Sequence, residues 1–156
     1  MIDFASFQKY SLFGGFRPED IESIRPLFRT ATYVPHALII REEERNDSLY
    51  FILQGSVRVS RDSVDIIDLK EGDCFGEMEI LDVMPAAATV RAITPLTLAA
   101  LNNRSIHEMY KLDPKLFALF MMNLARDLSR RLRRMDERVC ANARHACREE
   151  KLAAVV

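Results

Sequence analysis

The chain has 156 residues, 49% of them hydrophobic and 29% charged, and its formal net charge is −1. That is room for one domain with a sizeable core, or one domain and an appendage, and the near-neutral balance removes any global electrostatic case for nucleic acid. Cys74, Cys140 and Cys147 are too few and too unevenly spaced for a secreted disulfide framework. No basic-then-apolar leader opens the sequence and no window approaches the ~20 apolar residues of a membrane span, so a cytoplasmic protein is expected.

Residues 4–12 predict a short helix or turn that Gly14 and Gly15 break. Pro18, Glu19 and Asp20 are a helix start, with proline early and acids in the first turn. Ile21, Ile24, Leu27 and Phe28 follow at helical spacing, and Pro26 predicts a kink or an early end. From residue 30 the period changes. Segments 30–34, 38–41, 49–53, 57–61 and 64–69 are short, rich in β-branched or aromatic residues and separated by turn residues, the pattern of a sandwich or barrel.

Residues 71–92 read EGDCFGEMEILDVMPAAATVRA. A turn leads into Phe75, Gly76 and Glu77, a short helix is predicted over 78–81, and the loop ending in Pro85 gives way to Ala86, Ala87 and Ala88 and a strand over 89–92. Glycine and alanines beside a helix start allow close backbone approach and leave free N–H groups, a recipe for an anion cradle. A last strand is predicted over 96–101, then a helix to residue 112 that Ser105 could cap. Asp113 and Pro114 start a longer helix. Its apolar residues Phe117, Met121, Leu124, Leu128, Leu132, Met135 and Val139 fall at steps of four and three that repeat every eleven residues, which keeps the stripe on one face of a nearly straight helix. A compact barrel needs less cover than that, so a second copy of the chain is the simplest partner for the surplus.

The 71–92 stretch resembles the phosphate-binding cassette of the cyclic nucleotide-binding domain family: Phe-Gly-Glu, a short helix, a loop ending in Pro, then Arg-Ala-Ala-Thr-Val. The resemblance extends over about residues 12–139, with Gly55 at the place of a structural glycine. It implies a mainly β fold with flanking helices: a double-stranded β-helix or jelly-roll barrel, N-terminal helices and a long C-terminal helix. The expected organisation is a β-roll unit over 1–113, a dimerisation and lid helix over 114–141, and a tail over 142–156 that either extends the helix or frays.

The resemblance also implies a ligand site at Phe75, Gly76, Glu77, Met78, Ala86, Ala87, Ala88 and, from the lid, Arg131. In the family the glutamate accepts from the ribose 2′-hydroxyl and the glycine lets the backbone approach. Taken alone, Gly76 and Glu77 are equally a turn glycine and a first-turn acid. The sequence departs from the pattern at Ala86, where the family arginine pairs with the cyclic phosphate. Removing one partner of a buried charge pair costs about 2–5 kcal/mol, or roughly 30-fold to a few thousandfold in affinity. Arg91, on the strand, is expected in solvent; Arg130 or Arg131 could reach the pocket instead. Ala87 favours cAMP over cGMP, because a hydroxyl residue at that place commonly goes with guanine in the family.

Arg126, Arg130, Arg131, Arg133, Arg134 and Arg138 read as a solvated flank beside a dimer seam rather than a DNA-binding face. Cys140, His145 and Cys147 do not share one helix face, so no metal is expected, and no catalytic constellation is present. The expected function is a regulatory sensor module, dimeric through residues 117–139, taking a cyclic nucleotide, with cAMP the ligand and an effector protein downstream. The alternatives are a ligand-blind interaction domain, which Ala86 supports, and a pocket turned to a less anionic ligand.

Overall fold

A computed structural model describes the backbone of residues 4–153 and the side chains of 7–147. Short 3-10 turns at Phe4–Lys9 and Ser11–Phe13 precede helix α1 (Pro18–Ile24). Arg17 N–H donates to Asp20 Oδ2 at 2.8 Å, closing the start of α1, and the chain tightens to a 3-10 turn at Arg25–Leu27, where Pro26 cannot continue the helix. The strands are β1 (Arg29–Tyr33), β2 (Leu38–Ile40), β3 (Ser48–Gln54), β4 (Ser56–Arg61), β5 (Val64–Lys70), β6 (Cys74–Phe75), β7 (Thr89–Ala92) and β8 (Leu96–Asn102). Helix α2 (Glu77–Asp82) lies between β6 and β7, and α3 (Asn103–Leu112) and α4 (Pro114–Ala153) follow β8. The tail expected from residue 142 is thus a continuation of α4 as far as Ala153; its last three residues lie outside the described ones.

The strands form two antiparallel sheets, in the orders β1-β8-β3-β6 and β2-β7-β4-β5, and the chain folds as the expected β-roll. The first sheet is covered on both sides. Ile52, Phe75 and Leu98 point into the roll, against Ile40, Val57, Leu69 and Val90 of the second sheet. Leu49, Phe51, Cys74 and Leu101 point outward, against the N-terminal turns and α4. The strand period of two sends neighbours to opposite sides, so Cys74 and Phe75 belong to different cores.

An aromatic cluster fixes α4 on that outer face. The Phe13 ring lies 4.8 Å from Phe7, 5.4 Å from Phe51 and 6.2 Å from Phe120 between centroids. Asn123, buried on α4, donates to the carbonyls of Leu12 at 3.1 Å and Gly14 at 2.9 Å. Asp113 caps α4 by accepting from the N–H groups of Lys115 and Leu116.

Two expectations change. The cap of α3 is Asn102, whose Oδ1 accepts from Ser105 N–H at 2.8 Å; the helix starts three residues earlier than the serine reading allowed. The stripe on α4 is split. Of its residues only Leu124 is buried and Phe117 and Met121 pack at the cluster's edge, because Leu116 and Phe120, outside the stripe, take the core face, while Leu132, Met135 and Val139 are exposed at 61%, 48% and 66%. The barrel ends before the stripe does.

Candidate functional site

The site is built from β6, α2 and the loop to β7, with α4 laid across it. Gly76 has φ +79°, the left-handed region, and a Cβ there would stand 2.5 Å from Ser48 O and 2.8 Å from Asn46 Nδ2. Only glycine fits between β6 and the start of β3. Phe75 is buried and its ring stacks on Tyr50, with centroids 5.1 Å apart and planes 19° apart. Met78, next along α2, is 56% exposed on the outer side of the helix.

Glu77 is 5% exposed. Its Oε1 accepts from Arg131 Nη1 at 3.2 Å, and its Oε2 is buried without a hydrogen-bond partner. Arg131 Nη2 donates to Asp127 Oδ2 at 2.8 Å, one turn earlier on α4, and to the Cys74 carbonyl. One guanidinium therefore serves two carboxylates and a strand carbonyl. Burial pushes the Glu77 carboxyl above the usual carboxylate range; Arg131 pulls the other way and does not overcome it, while Glu79 and Asp127 add to the rise. Burial by itself would lower the Arg131 guanidinium, but Cys74, Glu77 and Asp127 around it hold it above its ordinary value. Burial also pushes the Cys74 thiol up, which leaves it a neutral core side chain.

Ala86 is fully buried, and both its backbone groups are used: its N–H donates to Glu44 O and its carbonyl accepts from Glu43 N–H, each at 2.8 Å. Ala87 and Ala88 are half-buried. The Ala87 N–H donates to Glu79 Oε1 at 3.2 Å, and Asn46 Nδ2 lies 3.5 Å from Glu79 Oε2. Glu79, 8% exposed, is a site residue that the sequence reading missed. In sequence it is one more acid in a helical turn; the signal that could have found it is a position two residues after Glu77, which turns it toward the loop rather than the solvent side of α2. Asn46 and Asp127 were missed as well, because nothing local marks either one.

Of the arginines considered as substitutes, Arg91 is exposed, as is Arg130. Arg131 alone of the three enters the cassette, and it enters at Glu77. A shallow groove of about 690 Å³ lies away from the cassette, along α4, lined by residues including Met122, Ala125, Arg126 and Arg133.

The match to known proteins falls on the same elements. The family model for the cyclic nucleotide-binding domain matches residues 30–113, from β1 to the end of α3. The chain belongs to the cyclic nucleotide-binding domain family. The cyclic AMP receptor protein of Thermus thermophilus is 30% identical over 130 residues, which is 80% of this chain and 58% of that protein. A cyclic nucleotide-gated potassium channel of Mesorhizobium japonicum is 31% identical over 100 residues, 64% of this chain and 27% of the channel. The chain thus spans only part of the length of the relatives it matches. Among solved structures, a cyclic nucleotide-binding domain from Methylobacillus flagellatus superposes with a TM-score of 0.79 at 24% identity, covering 89% of this chain and 81% of that one. Domains of this family are regulatory rather than catalytic. Among the described residues no helix is long and apolar enough to cross a membrane.

Proposed function

We propose that this chain is a regulatory sensor module of the family. Its cassette takes a cyclic nucleotide weakly, cAMP in preference to cGMP, and α4 carries the state of the cassette to a second copy and so to an effector protein. A cytoplasmic place of action goes with this reading. The observation that carries it is the Arg131–Glu77 contact. Gly76 and Glu77 are the half of the cassette that reads a ribose in the family, and the helix that would form a dimer holds that glutamate directly. A ligand hydroxyl would be accepted by the unpartnered Oε2 of the same carboxylate whose Oε1 holds Arg131, so the ligand and α4 would meet on one side chain. The preference for adenine rests on Ala87, which offers no hydroxyl. The exposed Leu132, Met135 and Val139 give α4 an apolar strip for a second α4.

A second reading, a nucleotide-blind interaction domain with the same dimer, is favoured by Ala86. That residue is sealed inside the roll and brings no cation to a phosphate.

Isothermal titration calorimetry with cAMP and cGMP separates the two. Under the sensor reading cAMP binds with a dissociation constant between tens of micromolar and millimolar, and cGMP binds more weakly. Absence of heat with either nucleotide at millimolar concentration would leave the second reading standing.

A further inference from the structure

The loss of a cation at Ala86 is only half of the change in this cassette. The N–H of Ala87, one of the backbone donors left for a phosphate once the arginine is gone, already has an acceptor from within the chain. Glu79 Oε1 takes it at 3.2 Å. Glu79 is 92% removed from solvent by its 8% exposure, and the amide of Asn46, itself bound to Ser48 O at 2.8 Å, lies against its other oxygen. Its carboxylate is therefore positioned by neighbours and is not a surface acid that happens to pass nearby. The Ala86 N–H, the other donor at this corner, is spent on Glu44 O.

We propose that Glu79 is an intramolecular competitor for the phosphate position: its carboxylate occupies the Ala87 donor, and a cyclic phosphate must displace it to bind. This rests on the reading of the cassette as a nucleotide site. It makes exclusion of the phosphate a two-residue property. Ala86 withholds the attracting charge and Glu79 supplies a repelling one, which also takes the donor. Glu77, buried nearby with Oε2 unpartnered, sets a second acid beside it. Like charges set against each other across a dry contact weaken binding strongly. Restoring the arginine alone leaves the carboxylate in place, where it would pair with the new guanidinium before any phosphate could.

The test is the cAMP affinity, by calorimetry, of the native chain, Glu79→Ala, Ala86→Arg and the double variant. Glu79→Ala is expected to tighten cAMP by about tenfold or more in both backgrounds. Glu79→Gln, which keeps an acceptor and removes the charge, is expected to fall between. Independently of any nucleotide, the Ala87 amide proton resonance is expected to shift in Glu79→Ala more than the amides of β4 or β5. Equal affinity with and without Glu79, or an unmoved Ala87 amide, overturns the proposal. Binding by the double variant that is tighter than by Ala86→Arg, with none by the native chain, removes the sensor reading and keeps the proposal. Binding by the native chain that Glu79→Ala does not change does the reverse. Folded variants that all ignore cAMP overturn both.

Discussion

Arg131 and Glu77 are 54 positions apart in sequence and 3.2 Å apart in space. The side chains of both are largely buried, at 15% and 6% exposure. Two ions in such a place exchange hydration for each other, and the exchange is close to even only while both are present. Asp127 makes the arrangement a triad with two negative members.

Arg131→Met leaves Glu77 and Asp127 facing each other without their cation. The expected cost is about 3–5 kcal/mol, seen as a fall in melting temperature of roughly 10 °C for a chain of this size. The fall should shrink as pH is lowered, since protonating the raised Glu77 carboxyl removes part of the uncompensated charge. Melting curves at neutral and mildly acidic pH check both points; an unchanged melting temperature at neutral pH would mean that the triad holds nothing together.

Glu77 itself has a raised carboxyl in the folded chain, from burial first and despite Arg131. A raised group binds its proton more tightly folded than unfolded. Its contribution is therefore whole below the ordinary carboxylate value and is lost as pH rises through the folded value. Asp20 and Asp68, lowered by their arginines, work in the opposite sense and lose their contribution as pH falls. The difference between native chain and Glu77→Gln isolates the first effect. Urea unfolding across this range should show the native chain losing stability relative to the variant as pH climbs. Parallel curves would refute the raised carboxyl.

Gly76→Ala puts a Cβ into a left-handed residue against Ser48 O and Asn46 Nδ2. The backbone conformation alone costs about 1–3 kcal/mol, and the contact with the Ser48 carbonyl adds to it because that atom belongs to β3 and cannot rotate away. Denaturant unfolding should show a lower midpoint with an unchanged slope. Substitution without loss would mean that β6 and β3 can separate freely at the cassette.

The apolar half of α4 that the barrel leaves open predicts self-association. Leu132→Asp combined with Val139→Asp should convert a dimer to a monomer in sedimentation equilibrium, while the melting transition stays within a few degrees, because neither residue belongs to the core. A native chain that sediments as a monomer at all concentrations would contradict the dimeric module.

Much of this was legible in the sequence for a physical reason. Strands with a fixed period of two and turns with obligatory residues are local features, and so are the helix starts at Pro18 and Asp113. The cassette motif is also contiguous, so Gly76 and Glu77 could be picked out from their neighbours. What could not be read was made by distance. Nothing near residue 127 announces that Asp127 shares a guanidinium with Glu77, and nothing near residue 46 announces Asn46. Glu79 was visible but silent, since its meaning depends on a loop eight residues later folding back to meet it. The two-residue strand β6 is too short to carry any periodicity, yet it sets Phe75 and Cys74 on opposite sides of a sheet.

Helix α4 extends from Arg131 to Ala153 without a break. At 1.5 Å per residue that is about 33 Å of helix beyond Arg131, passing beside β4 and β5 at Arg138. A tilt of about 10° pivoting at Arg131 would swing the far end through roughly 6 Å. Under the proposed sensor function the helix would be a lever whose short arm ends on Glu77 and the Cys74 carbonyl, and small rearrangements there would become displacements large enough for another protein to feel.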